Sequence, residues 1–314
     1  MPLPSIGSPL SWAGFVVFVL AMLVIDLGVF HKKAHEITLK EAGIWSAVWV
    51  ALAALFNAGI YLKFGPDRAL EFTTGYLIEK ALAVDNIFVF VIIFSAFAVP
   101  AVYQHRVLFW GVIGALVMRA AFIFAGSAFL QRFHWAIYVF GGLLALTGVK
   151  LLLQRNREVH PEQNPIVRWF RRLVPMTPEL EGSKFFTRRD GRRLATPLLL
   201  ALLAVEITDI IFAVDSIPAI FAVTTDPFIV FTSNIFAILG LRSLYFLLAG
   251  IITRFVYLKV GLAFVLVFVG AKMLLANVVS IPILASLAVI TGILAVSILA
   301  SLLRAGRPAV PPSG

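Results

Sequence analysis

The chain has 314 residues, 61% hydrophobic and 13% charged, with 26 Lys/Arg against 16 Asp/Glu and no cysteine. A soluble domain carries about 45–50% apolar and about 25% charged residues, so too little polar surface exists here to cover a soluble fold. No cysteine means no disulfide, thiolate metal site, iron–sulfur cluster or thiol redox couple. The net charge of +10 gathers at the ends of apolar runs, which orients a membrane protein rather than marking nucleic acid.

Apolar runs near twenty residues cross hydrocarbon as helices. Nine such runs are predicted: 11–30, 42–62, 74–98, 107–129, 135–153, 195–217, 228–249, 257–276 and 281–303. The expectation is an all-α polytopic membrane protein, a single transmembrane domain over 1–314. The first run has no basic segment before it, carries Lys32 and Lys33 after it and holds Asp26, so it reads as a retained helix rather than a signal peptide. Basic residues follow the odd-numbered runs: Lys32, Lys33 and Lys40, then Arg106, then Arg254 and Lys259, then Arg304 and Arg307. The positive-inside rule then predicts an external N-terminus and a cytoplasmic C-terminus.

The stretch 154–194 is the one extended polar loop. It holds ten basic residues, including Arg168, Arg171 and Arg172, and five acidic ones. An amphipathic helix resting on anionic lipid is the simplest reading, with a partner-docking loop as the alternative. No GxxxxGK[ST] occurs, so ATP-driven pumping has no support.

Two blocks resemble each other. Glu79 is followed six residues later by Asp85, and Asp209 by Asp215. Each pair precedes a run with an internal arginine, Arg119 in one and Arg242 in the other. Each block closes alike, on Gly148-Val149-Lys150-Leu151-Leu152 and Gly270-Ala271-Lys272-Met273-Leu274, its lysine 31 or 30 residues beyond its arginine. Repeat unit 74–153 (runs 3–5) therefore pairs with 195–276 (runs 6–8), and 281–303 is left as the last span. Units that begin three spans apart enter the membrane from opposite sides, as in the inverted repeats of secondary transporters.

Six acidic residues lie inside apolar runs: Asp26, Glu79, Asp85, Glu206, Asp209 and Asp215. Each charged carboxylate costs about 2.5–3.5 kcal/mol or more in hydrocarbon on insertion scales. Lys80, Arg119 and Arg242 balance part of that charge, and Lys150 and Lys272 stand near span ends. The remainder calls for protons or a metal ion. Each carboxylate is a candidate metal ligand, a proton carrier or an arginine's partner. Glu79, beside Lys80, fits a salt bridge or an outer gate as well as a ligand. Asn86, Thr208, Ser216 and Asn234 add neutral oxygens, though helix packing explains each of them as readily. Pro218 lacks an N–H and is expected to kink or end the sixth run, freeing carbonyls. All-oxygen sites suit Mn²⁺, Mg²⁺ and Ca²⁺, while Cu⁺ and Zn²⁺ are disfavoured without cysteine.

At these residues the chain resembles the TerC family of bacterial membrane proteins, its Alx branch in particular. The likeness rests on Glu79-Lys80 with Asp85-Asn86, on the run Glu206 to Ile220, and on Thr224 to Arg242, and it extends from Trp12 to about Leu303. It implies a multi-pass bacterial inner-membrane protein linked to manganese export, tellurium resistance and alkaline induction, with older descriptions of a redox modulator. The leading expectation is a secondary transporter exporting Mn²⁺, with Asp85, Asp209 and Asp215 as ligands, Glu206 and Asp26 assisting, and Glu79 at the outer entrance. Arg119 and Arg242 would neutralise the site between cycles or brace it. No resident cofactor is expected, and no enzyme, since neither HExxH nor GxSxG occurs. The competing reading is a non-transporting membrane stress-response or scaffold component.

Overall fold

The computed structural model describes residues 5–30, 37–133, 135–153, 167, 169–170, 172, 174–189, 192–251, 255–279 and 281–305, with backbone alone at 26–30, 189 and 305. The side chains of Asp26, Arg168 and Arg171 therefore lie outside the described residues.

All nine predicted runs fall on helix. In chain order these are α1 (Pro9–Phe30), α2 (Leu39–Phe64), α3 (Pro66–Ala96), α4 (Ala101–Arg132) and α5 (Ala136–Leu153), then α6 (Pro197–Phe221), α7 (Pro227–Leu239), α8 (Leu241–Leu248), α9 (Leu258–Leu274) and α10 (Ile283–Ala305). Several begin on strong start signals. Thr38 accepts from the Glu41 amide, and Asp226 accepts from the amides of Phe228 and Ile229. Pro66, Pro197 and Pro227 occupy first-turn positions, where a missing N–H costs nothing.

Among the described residues, α2, α4, α5, α6 and Ile283–Arg304 of α10 are long and apolar enough to cross a membrane. A sixth span results if α7 and α8, bent by 40°, count as one. The other predicted spans fall short for identifiable reasons. α3 is 31 residues long but carries Asp67, Arg68, Glu71, Glu79, Lys80 and Asp85, and α9 has 17 residues.

Two expectations need correction. The break falls at Gly240, between α7 and α8, whereas α6 runs one turn past Pro218 to Phe221. Pro218 lies in the last turn of α6, where its missing donor removes one bond near a helix end, and its carbonyl still accepts from the Ala222 amide at 3.1 Å. In the polar loop the described part includes a hairpin rather than continuous helix: β1 (Phe186–Arg189) pairs antiparallel with β2 (Arg192–Ala195). Phe170, Met176 and Phe185 pack from this loop onto the core formed by Phe90, Phe94, Leu198 and Leu241.

Contacts set the helix directions. Gly75 of α3 packs on Ile220 of α6, whereas Phe90 and Phe94 of α3 share a core with Leu198 and Ala201 of α6, so the two helices run antiparallel. α5 and α9 cross on small residues. A β-carbon on Gly148 would come within 2.7 Å of the Ala263 carbonyl and of the Val267 side chain. One on Gly270 would meet the Ala145 amide at 2.6 Å and the Gly141 carbonyl at 2.7 Å. Without a hydrophobic drive between helices in lipid, such close backbone approach supplies the association energy. A third contact region, aromatic, joins α1, α2, α3 and α7 through Phe15, Phe56, Phe72, Phe228 and Phe236.

Candidate functional site

Four helices bring polar side chains to one buried point. Arg119, midway along α4 and 1% exposed, sends its guanidinium between α3 and α6. Its Nε donates to Asp209 Oδ2 at 3.1 Å and its Nη2 to Asp209 Oδ1 at 2.8 Å, a two-point fork on one carboxylate. Its Nη1 donates to Glu79 Oε1 and, at 3.2 Å, to Ser216 Oγ. Asn234 of α7 donates from Nδ2 to the other Glu79 oxygen at 3.1 Å. Glu79 and Asn234 are fully buried and Asp209 nearly so.

The group joins the two acids that open the matched motifs, one from each block, through a single arginine. Two carboxylates and one guanidinium leave one excess negative charge. In a low-dielectric interior such a cluster depends on both carboxylates sharing the one guanidinium, and removing that partner strands the rest. Glu79 is therefore a buried salt-bridge partner of Arg119, one of the roles expected of it.

The remaining candidates stand around this knot. Six residues correspond to about 9 Å of helix rise, so Asp85 and Asp215 lie about that far from Glu79 and Asp209, in opposite directions along the antiparallel pair. Asp85 Oδ1 is buried without a hydrogen bond, and Lys259 of α9 is the cation acting on this carboxylate. Asp215 accepts from Thr147 Oγ1 of α5 at 3.0 Å, with Lys150 as its nearby cation. The structure thus does not bring Asp85 and Asp215 together. Glu206, half-buried, lays its carboxylate against Gly114 of α4 so closely that a β-carbon there would overlap it. Thr208 bonds back to the Ala204 carbonyl of its own helix at 2.7 Å and stays out of the group. Asn86 and Asn234 each keep a buried Oδ1 without a hydrogen bond. Arg242, 5% exposed, lies 6.0 Å from the Phe109 ring centroid and lines a small void together with Asp209. Among the described residues, no group of three or more His, Cys, Asp or Glu is placed to hold a metal ion.

Some contributors escaped the sequence reading. Thr147 carries no motif signal beyond standing three residues before Lys150. Gly114 reads as one small residue among many. Lys80 was visible beside Glu79, but its role was not. Its Nζ donates at 3.4 Å to the Ala237 carbonyl, where α7 ends, and a β-carbon at Gly240 would sit 2.7 Å from that nitrogen. A cation on the last carbonyls of a helix is favoured by the helix dipole.

Residues 64–308 match the family model described as "Integral membrane protein TerC family". Among curated proteins, the chain is 64% identical over 258 residues to an uncharacterized membrane protein of Myxococcus xanthus, covering 82% of this chain and 81% of that one. It is 51% identical over 266 residues to the Escherichia coli K12 protein named "Putative membrane-bound redox modulator Alx", covering 82% and 83%. A membrane protein of Rickettsia bellii is 42% identical over 250 residues, covering 80% and 83%. No solved structure matches the chain.

Proposed function

We propose that this chain, which belongs to the TerC family of integral membrane proteins, is a secondary transporter that exports a divalent cation, Mn²⁺, across a bacterial plasma membrane in exchange for protons. The observation that carries the reading is the buried Glu79–Arg119–Asp209 group, in which a cation of the protein's own sits between carboxylates contributed by both blocks. A protein that needed only to fold would not set five carboxylates, Glu79, Asp85, Glu206, Asp209 and Asp215, in membrane helices at this cost. In this reading Arg119 stands in for the transported ion. Asp85 and Asp215 serve as flanking stations on either side, Glu206 and Asp26 assist, and Asn86, Ser216 and Asn234 offer neutral oxygens. Hard divalent ions take such oxygen ligands; manganese itself, and the outward direction, come from the family resemblance.

The reading includes the inverted repeat of 74–153 and 195–276 within a nine-span chain. Its support is the reciprocity of the α5–α9 crossing. Pairing Gly148 with Gly270 also pairs Gly141 with Ala263 and Ala145 with Val267. The contacts of Gly148 on Ala263 and Val267 then repeat as those of Gly270 on Gly141 and Ala145. The N-terminus is external and the C-terminus cytoplasmic by the placement of the basic residues. The loop 154–194 rests on anionic lipid, a role supported by exposed Trp169 and by Arg193 stacked 4.7 Å over the Phe186 ring.

A second reading, a non-transporting membrane stress-response or scaffold component, is favoured by two observations. No preformed ligand group occurs among the described residues, and the printed name of the Alx relatives describes a redox modulator. With no cysteine in this chain, any redox role here proceeds without its own thiols. Flux of radioactive Mn²⁺ into sealed inside-out vesicles, with a pH gradient imposed in each direction, separates the two. Transport predicts saturable flux that Asp209→Asn abolishes while the protein stays in the membrane. Flux equal to that of empty vesicles leaves the second reading.

A further inference from the structure

We propose that the groove between α1 and α2 binds one anionic phospholipid of the surrounding bilayer, an acyl chain inside it and the phosphate at Lys63 and the first turn of α1. The proposal goes beyond the transporter reading and does not depend on it.

The start of α1 and the end of α2 lie on the same side of the molecule. Just ahead of α1, the Ser5 hydroxyl and the Ile6 amide donate to Asp226 at 3.0 and 2.7 Å. α3 begins directly after α2, and its Glu71 accepts from Thr224, close to Asp226, at 2.7 Å. Both helix ends are thus tied to the turn that precedes α7. Between them the two helices enclose a cavity of about 480 Å³, within the range of about 300–1,000 Å³ usual for binding pockets. Ser11 and Lys63 stand at its polar end, and Phe18 and Leu52 are the lining residues furthest along each helix from it. From Lys63 back to Leu52 the helix rises about 16 Å, roughly half of a 30 Å hydrocarbon core. The groove is as long as one leaflet is deep.

Its width suits an acyl chain. Phe56, Phe228 and Phe236 belong to its wall on the aromatic core, and Leu55, 70% exposed, lies on its lipid side. A β-carbon on Gly14 or on Gly59 would meet nothing within 4 Å, so both glycines widen the slot. A helix of the same length and about 10 Å across would need more than about 1,000 Å³, over twice the space present.

The polar end selects the headgroup. Lys63 is exposed, with its Nζ 5.2 Å from the Phe64 ring centroid. A lysine stem lies along apolar surface while its ammonium stays in the polar layer, at the depth of lipid phosphate. At the same end α1 begins, with Ser8 Oγ accepting from the Ser11 amide at 3.2 Å and 2.9 Å from the Ser11 hydroxyl. The positive end of the helix dipole and the ammonium therefore attract the same anion.

Native mass spectrometry of the whole chain in detergent, titrated with phosphatidylglycerol or phosphatidylcholine, tests the site. One phosphatidylglycerol should be retained at concentrations well below those at which phosphatidylcholine binds. Lys63→Gln should weaken phosphatidylglycerol several-fold and leave phosphatidylcholine unchanged. Gly59→Leu, which fills the slot without a clash, should weaken both lipids. Gly142→Leu, at an equally open position on α5, should weaken neither. Gly14→Leu, on the opposite wall, carries the same comparison should Gly59→Leu fail to fold. Neither glycine variant touches the loop 154–194, so lipid held there is unaffected by them. Wild-type retention of phosphatidylglycerol in Lys63→Gln, or in the glycine variants, overturns the proposal. A dimer that the glycine variants disperse would also overturn it, by seating a second copy on this face.

Discussion

Arg119 and Arg242 follow matched motifs, yet one lies within the unbroken 32-residue α4 and the other just after a bend. Arg119 forks onto Asp209 and reaches Glu79 and Ser216, a guanidinium held from two helices at once. Arg242 faces an aromatic ring and a void. The difference teaches that matched spacing in sequence need not give two arginines the same helix around them.

The largest test of this contrast is stability. Arg119→Gln strands two buried carboxylates and should cost about 3–5 kcal/mol. Thermal melts in detergent read this loss, and adding Glu79→Gln to Arg119→Gln should recover part of it. An Arg119→Gln protein as stable as the wild type would show that the two acids do not depend on this guanidinium. Asn234→Ala removes a bond to a charged oxygen and is expected to cost about 1.5–3 kcal/mol, with partial recovery when Glu79→Gln is added. A further sharpening uses the crossing of α5 and α9. Gly148→Leu and Gly270→Leu should destabilise by similar amounts, about 1–3 kcal/mol for overpacking, whereas Gly142→Leu, with open space around it, should be neutral. A clear inequality between the first two would break the reciprocity. Among the substitutions expected to destabilise, the smallest effect is at Gly240→Ala. Its backbone angles suit any residue, and a β-carbon there would meet the movable end of Lys80 at 2.7 Å and Trp49 Cβ at 3.2 Å, so a loss below about 1 kcal/mol is expected in the same melts.

Much of this was legible in the residues themselves. Carboxylates in apolar runs are too costly to be incidental, which singled out Glu79, Asp209 and their neighbours, and the matched spacings identified both arginines. Ser216 and Asn234 were visible as polar oxygens in the same runs. Which acid each arginine would take was not legible, because spacing along one helix says nothing about which face of another it meets. The break was assigned to Pro218 because proline is the stronger breaker in isolation. Near a helix end that preference has little to act on, and the bend settled on Gly240, where the end of Lys80 reaches the terminal carbonyls of α7. The hairpin had a signal in Asp190-Gly191, a pair favoured in tight turns, hidden within a loop whose charge drew attention to lipid instead.

The shortness of α7 bears on how the protein is made. Thirteen residues rise about 20 Å, less than the roughly 30 Å of a bilayer's hydrocarbon core, and α3 is burdened with six charged side chains. The two helices that give Glu79 and Asn234 to the centre are thus poor candidates for partitioning into lipid one at a time as they leave the ribosome. α3 emerges first, with Lys80 and Glu79 lacking the Ala237 carbonyl, the Arg119 guanidinium and the Asn234 amide that later receive them. Biogenesis therefore has to hold α3 in a sheltered place, at the insertion machinery or against α2, until four further helices have been synthesised, and completion of the charged centre coincides with the last of them settling into the membrane.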